Sequence, residues 1–148
     1  MPRSLPDQPI GTRTVPEAPP TGGGGGGGIA TVPFDSSVQI VPNDTFNLYW
    51  FAPGTITISA IKLYYQVAPA SAAGTYTFAA DGAGNNLLGA ATFDLETLVG
   101  ATLTAMALTG TAADLDLVEG NVVTLSFVSD NIDLTGSGAY VQILYGAT

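Results

Sequence analysis

Few groups in this 148-residue chain can do chemistry, and their spacing fits no catalytic site. His and Cys are both absent, so the usual hydrolytic triads and the standard zinc sites cannot be assembled. The single lysine, Lys62, sits inside a strand-type pattern, where an outward, solvated position is expected. Carboxylates remain. Asp94 with Glu96, and Asp114 with Asp116, are pairs of the kind glycoside hydrolysis uses. Each pair is spaced i, i+2, which on an extended strand puts both acids on the solvent face, their ordinary place. Hard oxygens for calcium occur at Asp130, Asn131 and Asp133, and at Asp81, Asn85 and Asn86. Neither set matches the twelve-residue calcium loop with its closing Glu, and Asp, Asn and Gly form turns unaided. The glycine run Gly22–Gly28 lacks the Lys-Ser/Thr and the preceding strand of a phosphate loop. The expectation is a protein that is not an enzyme and has no metal site and no cofactor.

The elements that would carry these residues read as strands. From Ala113 to Tyr145, Val123, Leu125 and Phe127 alternate with Thr124 and Ser126, and Val141, Ile143 and Tyr145 alternate around Gln142. Period-2 alternation marks a strand with one buried face. Glu119-Gly120-Asn121 and Thr135–Gly138 supply the turns before the two runs. A lone hairpin is marginal in water, so the rest of the chain must supply further strands. Ile29–Ile40 reads as a strand interrupted at Pro33. Phe46–Phe51 has Phe46, Leu48 and Trp50 on one face and Tyr49 and Phe51 on the other. Such a strand is central, or else its outer face meets a neighbour. In Thr55–Val67 the apolar phase slips near Ala60-Ile61, which a β-bulge accommodates. Thr75–Ala79 and the Phe93 region give two more strands. Glu96–Leu108 is ambiguous between a short helical turn and a strand, with Thr102 and Thr104 favouring a strand over 101–109. About eight strands without a long helix predict an all-β, eight-stranded antiparallel sandwich of jelly-roll type over residues 29–148.

Residues 1–28 are different. Six prolines between Pro2 and Pro20 rule out helix and sheet interior, and Gly22–Gly28 follow. An extended, stiff arm ending in a flexible linker is expected.

Composition narrows the partners. Only 10% of residues are charged, against about 25% in a typical soluble domain. That surface suits packing against copies of itself or against a larger assembly. The net charge is −9. The arm balances Arg3 and Arg13 against Asp7 and Glu17, while the remainder sets ten acids against Lys62. A body so acidic repels nucleic-acid phosphates and is not drawn to anionic membranes. No apolar run approaches the roughly 20 residues that span a bilayer, and the start has no apolar core of secretory-signal length. Synthesis in the cytosol is expected.

The layout has a familiar style. A Pro/Gly-rich arm leads into a Thr/Ala/Gly-rich β-body containing GTYTFAADGAGNNLLGAATFDL, VEGNVVTLSFVSD and GSGAYVQILY. It resembles the jelly-roll virion proteins of tailed bacteriophages: head decoration (cement) proteins, head fibres and related tail modules. The resemblance covers about residues 30–148 and rests on no single motif. It implies a homotrimer on the capsid surface, made in the host cytoplasm, whose partner is the major capsid protein or another shell protein. Arm residues Arg3, Leu5, Ile10, Arg13 and Val15 would contact the shell, and Tyr49, Phe51, Tyr64 and Leu144 would meet neighbouring copies. A second reading is a tail or fibre module that binds host glycan, because sugar rings stack on aromatic faces such as Tyr49, Trp50, Tyr64, Tyr65 and Tyr140.

Overall fold

A computed structural model describes residues 27–34, 44–69, 75–130 and 137–148. Its strands are β1 (Gly28–Phe34), β2 (Asp44–Phe51), β3 (Ile56–Val67), β4 (Thr75–Gly82), β5 (Asn85–Asn86), β6 (Phe93–Asp94), β7 (Thr104–Ala105), β8 (Asp116–Leu117), β9 (Val122–Asp130) and β10 (Ser137–Ala147). They form two antiparallel sheets. In the first, β10 lies between β1 and β3, and the far edge of β3 carries β7 and β8. In the second, β9 lies between β2 and β4, and the far edge of β4 carries β5 and β6. The pairing is nested: β1 with β10, β2 with β9, β3 with β7 and β8, β4 with β5 and β6. Each pair of two-residue strands fills one position, so the sandwich has eight positions. Its order fits a jelly roll.

Nesting corrects one expectation. The two runs in 113–145 are not a hairpin: β9 and β10 lie in different sheets. Both carry the same alternation because both bury one face in the same core, from opposite sides. Ile58, Ile61, Leu63, Val141 and Ile143 come from the first sheet, and Phe78, Val123, Leu125 and Phe127 from the second, all essentially without exposure. Full burial of such a side chain contributes roughly 1.5–3 kcal/mol. The bulge lies close to where the phase slip put it. Leu144 faces Ala60 while Tyr145 faces Ile58, leaving Ser59 as the extra residue, and the buried series in β3 accordingly steps from Ile58 to Ile61.

Other expectations change. Pro33 does not interrupt β1, because an edge strand can spare one N–H. Among the described residues, the strand with Trp50 is not central but ends its sheet. The ambiguous stretch divides into a 3-10 turn at Leu95–Thr97 and a strand limited to Thr104–Ala105. Val38 and Ile40 lie outside the described residues.

Two aromatic contacts tie the sheets together. In the core, the hydroxyls of Tyr65 on β3 and Tyr76 on β4 lie 3.0 Å apart. Burial pushes the Tyr65 phenol up to about 12, and burial together with the neighbouring Tyr65 raises Tyr76 as well. Elsewhere, the ring of Tyr145 on β10 packs against Trp50 on β2, with centroids 5.4 Å apart. Gly28 makes room for that ring: a Cβ there would lie 2.3 Å from Tyr145 Cζ. The last glycine of the run is therefore the first residue of β1, paired with Tyr145.

Tyr76→Phe should lower stability in urea by about 1–3 kcal/mol, because it strips a buried hydroxyl of this partner, while Tyr65→Phe/Tyr76→Phe should cost less than the sum of the single changes. Raised folded-state values leave this stability whole below the ordinary tyrosine value near 10 and remove it as pH climbs through about 12. Stability should thus decline above about pH 10, and less steeply in the double variant. Gly28→Ala should displace Tyr145, shift the emission of Trp50 (the sole tryptophan) and destabilise the fold by about 1–3 kcal/mol. Gly54→Ala, where a Cβ meets nothing within 4 Å, is the control.

Candidate interaction surfaces

Several of the acids and amides have structural duties. Asp94 Oδ1 accepts from the Glu96 N–H at 2.9 Å and caps the 3-10 turn. The pair therefore straddles a turn instead of sharing a strand face. Asp114 lies in a second 3-10 turn, Ala112–Leu115, while Asp116 on β8 accepts from Thr57 Oγ1 at 2.6 Å. In both pairs a turn breaks the alternation that i, i+2 spacing assumes. Asn86 uses its whole amide on backbone: Nδ2 donates to Leu88 O and Ala90 O, and Oδ1 accepts from Leu88 N–H, each at 3.0 Å. Beside it, Asp81 and Asn86 are paired across a tight β4–β5 hairpin whose turn residues Ala83 and Gly84 have positive φ. Among the described residues no group of three acids, His or Cys is placed to hold a metal. Asn131 and Asp133 lie outside the described residues, as does the side chain of Asp130. A hollow lined by Leu88, Ala90, Thr92, Phe93, Met106 and Ala107 offers about 60 Å³, far below the roughly 300–1,000 Å³ of a ligand pocket.

The described residues also present two exposed sheet faces. The outer face of the first sheet reads in rows across β1, β10 and β3: Ile29, Leu144 and Ala60; Thr31, Gln142 and Lys62; Pro33, Tyr140 and Tyr64. The rings of Tyr64 and Tyr140 stack 4.8 Å apart at 19°, and the Tyr64 hydroxyl donates to Gln66 Oε1 at 2.7 Å. Lys62 is outward, as its place in the strand pattern required, between Gln142 and Ala105. On the second sheet, the outer face of β2 exposes Tyr49 (59%) and Phe51 (62%).

The four residues expected to meet neighbouring copies therefore form two patches. Tyr64 and Leu144 lie on one sheet, Tyr49 and Phe51 on the other. Ile29, 64% exposed and opposite Leu144, extends the first patch. Ala30 and Val32 face the core, so alternation turns Ile29 outward. Of the aromatics considered for glycan, Tyr65 is buried in the core and Trp50 is half-buried against Tyr145. Tyr64 and Tyr140 cover each other, which leaves Tyr49 as the one with an open ring. Arg3, Leu5, Ile10, Arg13 and Val15 lie outside the described residues.

No family model matches the chain, and no curated protein matches it. Among solved structures, it is similar to a chain in the structure titled "Cyanophage Pam1 capsid asymmetric unit", with a TM-score of 0.51 and 19% identity, over 97% of this chain and 100% of that one. At this identity the likeness is one of fold: both chains share the overall path of the sandwich.

Proposed function

We propose that this protein is a virion structural protein that decorates and stabilises a phage capsid shell, with a jelly-roll body and an N-terminal arm that grips the shell. The observation that carries this reading is the nested eight-position sandwich, similar along nearly its whole length to a chain from a cyanophage capsid. The surface agrees with it. Asp94 and Asn86 hold turns, while apolar side chains stand exposed on both sheets. Copies gathered as a homotrimer would cover them. A cyclic trimer needs two different patches on each copy, and Tyr64 with Leu144, then Tyr49 with Phe51, provide two. Phe51 and Tyr49 sit on an edge strand, so contact between edge and face turns a corner that face-on-face stacking would not. Weak attachment repeated over a shell gains through multivalency.

Deletion of residues 1–26, which leaves β1 intact, tests the arm. Cosedimentation with assembled shells should weaken at least about tenfold, or roughly 1.4 kcal/mol per contact, with the circular dichroism of the body unchanged. Undiminished cosedimentation would overturn the anchoring role. Leu144→Lys should shift sedimentation from trimer toward monomer.

A further inference from the structure

The sandwich treats its two sides differently. On one side, both sheets end in two-residue strands, β5 and β6 or β7 and β8. Short, broken edges resist pairing with other chains. On the other side, β1 and β2 run unbroken. Pro33 interrupts the donors of β1, but β2 from Asn47 to Phe51 has no proline, charge or bulge.

The ladder shows which backbone groups of β2 are open. Ala52 N–H donates to Asn121 O at 2.8 Å, in register with the β2–β9 pairing. Antiparallel pairs alternate, so even-numbered residues of β2 bond to β9, while Asn47, Tyr49 and Phe51 turn their N–H and C=O away. The β9–β4 ladder agrees: Ala83 N–H donates to Val122 O, which puts the even residues of β9 toward β4 and its odd residues toward β2. Among the described residues nothing pairs with the outward groups of Asn47, Tyr49 and Phe51. The same three residues expose two large aromatic side chains.

One segment of the chain is suited to this edge. Within residues 1–21, Ile10-Gly11-Thr12-Arg13-Thr14-Val15 is the one proline-free stretch longer than three residues. Four of its six residues are β-branched, as strands prefer, and Pro9 and Pro16 bound it. Its length suits the five residues from Asn47 to Phe51. Reach is sufficient. Residues 16–27 span up to about 40 Å when extended, and the chain joins the body at Gly28, at the end of the sandwich where β2 finishes. Gly28 pairs with Tyr145, and the Tyr145 ring touches Trp50, next to Phe51. A tether this short holds the segment at roughly millimolar effective concentration, which favours a copy's own arm over another copy's at ordinary concentrations.

We infer that in the free subunit residues 10–15 add to the open edge of β2 as a further strand, held by backbone hydrogen bonds to Asn47, Tyr49 and Phe51. Main-chain bonds would supply the affinity, and the arm's alternate side chains would lie beside Tyr49 and Phe51. Arg3 and Leu5 stay beyond the paired segment. The inference does not rest on the shell-binding reading.

Amide exchange followed by NMR on the full chain tests it. The N–H groups of Asn47, Tyr49 and Phe51 should exchange at least about tenfold more slowly than in Thr12→Pro/Arg13→Pro, which removes one donor from each phase of the segment. The difference should not depend on protein concentration. Equal exchange in the two chains would overturn the pairing, and protection that grows with concentration would assign the edge to a second copy instead. Both chains keep the whole body, and both can also be sedimented with shells. Loss of edge protection with shell binding intact would therefore be told apart from failure of the anchoring role.

Discussion

Backbone hydrogen bonding runs out at the edges of a β-sheet, and this chain's handling of its edges governs both its fold and its contacts. An open sandwich of two sheets has four edges. Two are filled by pairs of two-residue strands, with 3-10 turns at Leu95–Thr97 just after β6 and at Ala112–Leu115 just before β8. The outward donors and acceptors there are too few and too interrupted to template another strand. The other two edges are long because the nested wrapping requires it. β1 must match β10, and β2 must match β9, along most of their length. The unbroken edges are a direct consequence of the topology, and only β1 carries a proline to blunt its own.

The same topology decides what holds the sheets face to face. In nested wrapping most consecutive strands alternate between sheets, so most connections pass from one sheet to the other and the sheets close around side chains contributed from both. Apolar burial supplies most of the stabilisation, and Tyr65 with Tyr76 adds a bond between sheets, while the burial of both phenols opposes their ionisation. At the margin, Tyr145 and Trp50 close the gap beside β1 and β2. That contact exists because residue 28 has no side chain. The last residue of the glycine run is therefore set by packing.

Much of this was legible in the chain. Alternation in β9 and β10, the phase slip in β3 and the turn at Glu119-Gly120-Asn121, where Gly120 has φ of +86° and Asn121 Oδ1 accepts from Val118 N–H, all follow from local rules of side-chain direction and turn chemistry. Sheet membership was not legible, because alternation reports that a face is buried and not which strand lies alongside. Edge or centre was open for β2 for the same reason, although Tyr49 and Phe51 marked a face in need of cover. The carboxylate pairs were misplaced because Asp94 caps a turn, and a cap ends the alternation used to place it. The split of Tyr49 and Phe51 from Tyr64 and Leu144 is a long-range fact, beyond any window of residues.

The edge and the arm bear on each other through charge as well as shape. Like charges keep free copies apart, since the body is strongly acidic, but that repulsion is screened beyond about 8 Å in physiological salt. It cannot by itself stop the close approach that strand pairing involves. A long edge with exposed aromatics at one end needs a local cover, and the arm is tethered next to it. If the arm adds to that edge as inferred, its cover would be reversible, because six residues contribute few bonds and a surface that bound the arm more strongly would draw it off. Tyr49 and Phe51 would then be open to a neighbouring copy.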